Sequence, residues 1–127
     1  MNVLFLDDNA LRCHQFRSAV PCATIVNTSK ECIEALEAAT EPWDIVFLDH
    51  DLGGEVYCDS WREDTGAEVA RWMAAHKPAV GVVVLHTFND CGKRNMVFPL
   101  VQAGYTVEYI PFGKDTLERV SDLEVVT

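Results

Sequence analysis

The stretch Asp44-Ile45-Val46-Phe47-Leu48-Asp49-His50-Asp51-Leu52-Gly53-Gly54 decides how the rest of the chain is read. Its apolar run passes without a polar break into two carboxylates, with an imidazole between them and two glycines behind. A continuous apolar run, unlike an alternating one, marks a strand covered on both faces, as in parallel sheets. Charge delivered at the C-terminal end of such a strand lies where open α/β sheets bind ligands. Carboxylates held close together repel, so the cluster calls for a cation, a proton or a function.

On the N-terminal side, residues 2–6 form a short apolar strand ending at Asp7-Asp8, followed by a helix over residues 10–19 with Leu11, Phe16 and Ala19 as its buried stripe. Pro21 closes that helix, and residues 23–26 make a second strand. Thr28 and Glu31 have capping-box spacing for a second helix whose inner face is Cys32, Ile33, Leu36 and Ala39, and Glu41-Pro42 breaks it.

On the C-terminal side, residues 55–64 form an irregular segment with Tyr57, Trp61 and Arg62, long enough for a lid or specificity loop; the two aromatics read first as loop packing. Thr65 and Glu68 suggest another capping box, opening a helix over 66–75 with Val69, Trp72 and Met73 inward. Residues 81–85 are a second continuous apolar strand, running into His86-Thr87-Phe88-Asn89-Asp90. A helix over 92–103 contains Pro99, which is expected to kink it or delay its start, and Gly104 closes it. A strand over 106–110 and a helix over 115–123, capped by Asp115 with Leu117 and Val120 inward, complete the pattern.

Five strands alternating with five helices predict one three-layer α/β domain over residues 1–127, a flavodoxin-like, five-stranded parallel sheet in the order 2-1-3-4-5. The switch point then falls between the first and third strands. It brings Asp7 and Asp8 beside Asp49 and Asp51, with His86 and Thr87 next door.

The bulk composition narrows the function. A net charge of −10 opposes attraction to duplex DNA or a membrane surface. The five cysteines are odd in number and lack a CxxC pair, which suits reduced thiols in a cytoplasmic protein and argues against a thiolate metal site. No leader or membrane span is expected.

The polar residues gathered at one sheet edge are Asp7, Asp8, Asp49, His50, Asp51, His86, Thr87 and Asn89. Four carboxylates suit Mg²⁺ or Mn²⁺, which makes Asp7, Asp8, Asp49 and Asp51 the candidate metal ligands. Period two puts Asp49 and Asp51 on one side and His50 on the other. Plainer readings stand beside these: Asp8 as a helix cap, His86 as a hydrogen-bonded structural residue, Thr87 and Asn89 as caps of the following helix, and Gly53-Gly54 as a tight turn. Arg12, one turn into the first helix, is either a solvated charge or a contact for a phosphate oxygen.

Leu6-Asp7-Asp8, Phe47-Leu48-Asp49, Thr87 and Ile110-Pro111-Phe112 resemble response-regulator receiver domains over nearly the whole chain. The resemblance implies Mg²⁺ bound by the acidic pair and Asp49, with Asp49 in the phosphoacceptor place and Thr87 as the hydroxyl residue. Ile110 stands where that family has a lysine, which speaks against ordinary phosphorelay. Asp8-x-x-x-Arg12 with Phe16, Asp49-His50-Asp51-Leu52-Gly53-Gly54, Asp64-x-Gly66, and His86-Thr87-x-Asn89 with Gly92 and Met96 look like a narrower branch, the cyclic-phosphate processing receiver domains. That resemblance implies metal-dependent hydrolysis of cyclic phosphates on nucleotides or RNA ends. His50 and His86 are the candidate base and acid, with Asp49 completing the catalytic set and Arg12, Thr87 and Asn89 as phosphate contacts. The alternatives are a non-catalytic or phosphorylatable receiver that binds a protein, and a phage protein that binds a host factor.

Overall fold

The computed structural model describes residues 1–52, 62 and 64–126, and gives the backbone alone at 114 and 123–126. The strands are β1 (Val3–Leu6), β2 (Thr24–Val26), β3 (Trp43–Leu48), β4 (Val80–Leu85) and β5 (Val107–Tyr109). They alternate with α1 (Ala10–Ala19), α2 (Ser29–Ala38), α3 (Gly66–His76), α4 (Asp90–Gln102) and α5 (Lys114–Val126). The sheet order is β2-β1-β3-β4-β5, and every pairing is parallel, as expected from the sequence.

The unbroken apolar runs have the cause inferred for them: each central strand is buried on both faces. Leu4, Leu6, Val46, Leu48, Val83 and Leu85 pack against α2, α3 and α4. Their neighbours Val3, Phe5, Ile45, Phe47, Val82 and Val84 pack against Phe16 of α1 and Val120 of α5. Side-chain alternation along a strand thus feeds two cores. At the C-terminal ends, Leu6 is level with Leu48 and Leu48 with Leu85, so the residues after these three strands emerge at one height.

Several local expectations need correction. Leu11 is 64% exposed and Ala19 is also exposed, so α1 contacts the core chiefly through Phe16. Ala39 of the predicted α2 face is exposed. Thr28 caps α2, its Oγ1 accepting from Glu31 N at 3.1 Å, while the Glu31 carboxylate reaches back to Asn27 N at 3.3 Å. The capping box expected for α3 does not form: the Thr65 hydroxyl donates to Arg62 O at 2.9 Å, and Glu68 pairs with Arg71. Pro99 neither delays nor interrupts α4, which begins at Asp90; the proline sits in its last turns, and its carbonyl accepts from Ala103 N at 3.1 Å. Asp115 lies within the first turn of α5, where Thr116 Oγ1 accepts from Gly113 N at 3.0 Å. Among the described residues, no helix is long and apolar enough to cross a membrane.

Candidate functional site

Asp7 leaves β1 into a fully buried position where both carboxylate oxygens are occupied. Oδ1 accepts from Asn9 N at 2.9 Å and Arg12 Nη2 at 3.0 Å. Oδ2 accepts from Arg12 Nε at 2.7 Å and faces His86 Nε2 at 3.1 Å. The short run from strand to helix makes this possible, because Asn9, rather than Asp8, caps α1 by accepting from Arg12 N at 2.9 Å. The Asp7 carbonyl accepts from Asn27 Nδ2 at 2.9 Å and Cys13 Sγ at 3.2 Å, fixing the turn further.

Asp49 follows β3, with its amide donating to Leu6 O at 3.2 Å. Its Oδ1 accepts from His50 N at 2.9 Å, and its Oδ2 lies 3.6 Å from Arg12 Nη2. One ligand atom each from Asp7, Asp49 and His86 lies within 4.8 Å of the others. His86 N donates to Leu48 O, so the residue after β4 nearest the Asp49 level is His86, with Thr87 one step beyond.

His86 is held between rings. It stacks on Phe5 with centroids 4.8 Å apart and planes 9° from parallel, and Phe112 meets it edge-on at 6.3 Å. Its Nδ1 is buried without a partner among the described residues. A hydrogen on Nε2 lets the ring donate to Asp7. The other tautomer would set a lone pair against the carboxylate and bury an unpaired N–H, at about 1–3 kcal/mol. Ligating histidines ordinarily donate from the far nitrogen to an acceptor, and His86 lacks one among the described residues. The site therefore fits a cation held by the Asp7 and Asp49 oxygens better than one held by His86.

A second group lies alongside. His50 is fully buried, with Nδ1 3.0 Å from Asp51 Oδ1, and Asn89 Nδ2 donates to the same oxygen at 3.2 Å. Asn89 also caps α4, accepting from Gly92 N at 2.9 Å, so capping and site contact belong to one side chain. Thr87 Oγ1 accepts from Asn89 N at 3.1 Å, which orients that cap. Gly92 lies flat against the imidazole; a Cβ there would stand 2.4 Å from His50 Cγ.

Thus Asp7, Asp49, Arg12 and His86 converge, while Asp51, His50 and Asn89 form an adjoining set. Asp8 is half-buried and stands outside the three-residue ligand group. Gly53, Gly54, Tyr57 and Trp61, with most of the expected lid, lie outside the described residues. Sequence reasoning missed the hold of Asn27 and Cys13 on the Asp7 carbonyl. The only signal was their placement beside the β1 and β2 ends.

The two carboxylates titrate in opposite directions. Burial pushes Asp49 up to about 6, with the charges of Asp7, His86 and Arg12 modifying that rise. Burial alone would also raise Asp7, yet hydrogen bonds from His86 and Arg12 outweigh it and hold the carboxyl at about 2. For Asp49 the folded state binds its proton more tightly than the unfolded chain, so stability falls as pH rises from about 4 to about 6, by about 3 kcal/mol. For Asp7 the stabilisation is present above the ordinary carboxylate value and is lost as pH falls toward 2. Urea unfolding in metal-free buffer should accordingly give greatest stability near pH 4 for this pair, and Asp49→Asn should flatten the decline above it. An unchanged slope in that variant would place the effect elsewhere.

A family model described as "Cyclic-phosphate processing Receiver domain" matches residues 2–101. No curated protein matches the sequence. Among solved structures, the response regulator TrrA of Thermotoga maritima, in complex with Mg²⁺ and BeF, is similar at a TM-score of 0.68 and 15% identity, covering 99% of this chain and 98% of that one. The receiver domain of a Pseudomonas aeruginosa sensor histidine kinase, with a magnesium ion in its active-site cleft, is similar at 0.66 and 17%, with the same coverages. A CheY-like receiver domain from Methanospirillum hungatei is similar at 0.62 and 15%, covering 96% of this chain and 91% of that one. At these identities the likeness concerns the fold.

Proposed function

The chain belongs to the cyclic-phosphate processing receiver domains, and from that membership we propose that it hydrolyses a cyclic phosphate on a nucleotide or an RNA end with the help of Mg²⁺ or Mn²⁺. The observation that carries the reading is the convergence of Asp7, Asp49 and His86, with ligand atoms within 4.8 Å of one another, at the C-terminal edge of the sheet. Asp7 and Asp49 would hold the cation. When bound, it supplies charge neutralisation at the phosphoryl oxygens and acidifies a water molecule.

Hydrolysis adds water across one P–O bond of the ring: the water oxygen bonds to phosphorus, its proton passes to a base, and the freed ester oxygen takes up a proton. His50 and His86 were the expected base and acid, but both rings are buried. In this reading His86 sets Asp7 through Nε2. Asp51, whose side chain is 14% exposed, receives the water's proton while His50 and Asn89 hold its carboxylate. The ester oxygen takes its proton from solvent. The four described cysteines are free, in keeping with the cytoplasmic location proposed here.

Incubation with Mn²⁺ or Mg²⁺ and a panel of cyclic nucleotides and 2′,3′-cyclic-ended RNAs tests the reading. Turnover is expected, with losses of about a hundredfold or more in Asp51→Asn and His50→Ala. Absence of turnover, or full activity in both variants, would refute it. The burial of both imidazoles favours one other reading, a non-catalytic receiver, for which the signature is an Asp49-dependent adduct with a small phosphoryl donor.

A further inference from the structure

The carboxylates already have a cation, and it is one the chain carries itself. Arg12 grips Asp7 through Nε and Nη2 at 2.7 and 3.0 Å and reaches within 3.6 Å of Asp49 Oδ2. Four donors thereby meet the two Asp7 oxygens: the Asn9 amide, two from Arg12 and the His86 ring. A metal cannot take an Asp7 oxygen as ligand while all four stay in place. The Asn9 amide is backbone at a helix cap, and His86 is stacked on Phe5 with 1% exposure. Arg12 differs from both: its side chain is long, and 28% of it is exposed.

From these contacts we infer that Arg12 is an exchangeable occupant of the cation position: a divalent ion entering between Asp7 and Asp49 displaces the guanidinium, which turns outward and becomes the donor for the substrate's phosphoryl oxygens. The inference rests on the proposed cation site and assigns Arg12 a place in both states. Bound inward, its single positive charge offsets part of the repulsion between two buried carboxylates. Turned outward, its planar pair of N–H donors matches two phosphoryl oxygens. The exchange makes and breaks no covalent bond.

The sign of one measurement separates this from a merely structural ion pair. Mn²⁺ affinity, followed by the resonance of the free ion, should be about tenfold tighter in Arg12→Gln than in the native protein, because a competing charge is gone. Equal or weaker binding would mean that Arg12 only orders Asp7, and would overturn the inference. The native protein offers a second readout should that variant fold poorly. Mg²⁺ titration should move the Arg12 Nε–H proton resonance from a bonded, slowly exchanging position to that of a solvent-exposed guanidinium. Metal binding with that resonance unmoved would also overturn it. Absence of Mn²⁺ binding in both proteins would remove the cation site itself, a different failure from binding without competition.

Discussion

Gly66→Ala should leave little folded protein. A Cβ on residue 66 would stand 1.8 Å from the Asp49 carbonyl oxygen, 2.8 Å from its carbon and 3.1 Å from His50 Cα. These are backbone atoms of the segment leaving β3, so no side-chain rotation relieves the overlap. The Gly66 amide donates to His50 O at 2.9 Å, which ties the start of α3 to the site. Retreat of the helix would strip Ala67, Val69, Ala70 and Met73 from the core, where all four are buried. The expected cost exceeds about 4 kcal/mol, comparable with the whole stability of a marginal domain. Soluble yield and the urea midpoint measure it. Gly113→Ala, with nothing within 4 Å of the added Cβ, should stay within about 0.5 kcal/mol of the native protein. A native-like midpoint for Gly66→Ala would show that α3 does not dock on the strand exit as described.

Asp7→Ala ranks next. It removes the common partner of Arg12 and His86 and leaves a buried imidazole nitrogen facing a void. Deleting a buried carboxylate that accepts hydrogen bonds from a partly exposed arginine and a buried imidazole costs about 2–3 kcal/mol, or about 6 °C or more in melting temperature for a domain of this size. Divalent-ion binding should be lost as well, because Asp49 alone cannot replace the pair. Asp7→Asn keeps the shape and should recover part of the stability but not the ion. A melting temperature within a degree or two of native for Asp7→Ala would mean that Arg12 transfers fully to Asp49.

Much of this site could be read from the chain because it sits where strands stop. The runs into Asp7, Asp49 and His86 are unmistakable, and the doubly wound order follows from alternation and handedness, which placed the three side by side. What could not be read depends on side-chain direction beyond the sheet. The period of two groups Asp51 with Asp49, but β3 ends at Leu48, and the Asp51 carboxylate meets His50 and Asn89. Arg12 reads from the sequence as a solvated charge or a phosphate contact, and neither reading pairs it with a carboxylate; only the depth of Asp7 draws it inward. Helix caps were misjudged for a related reason. Thr65 and Asp115 have the right chemistry, but Thr65 is drawn to the Arg62 carbonyl and Asp115 lies inside the first turn of α5, which begins at Lys114.

The contact between Asp7 and His86 joins residues 79 positions apart, and the one between His50 and Asn89 joins residues 39 apart. The Asp7–Arg12 pair is local in sequence, whereas these two contacts exist only once β1, β3 and β4 have paired, so the complete site belongs to the assembled sheet. A ligand that binds only the assembled site stabilises the folded state as a whole, by an amount that grows with the logarithm of its concentration.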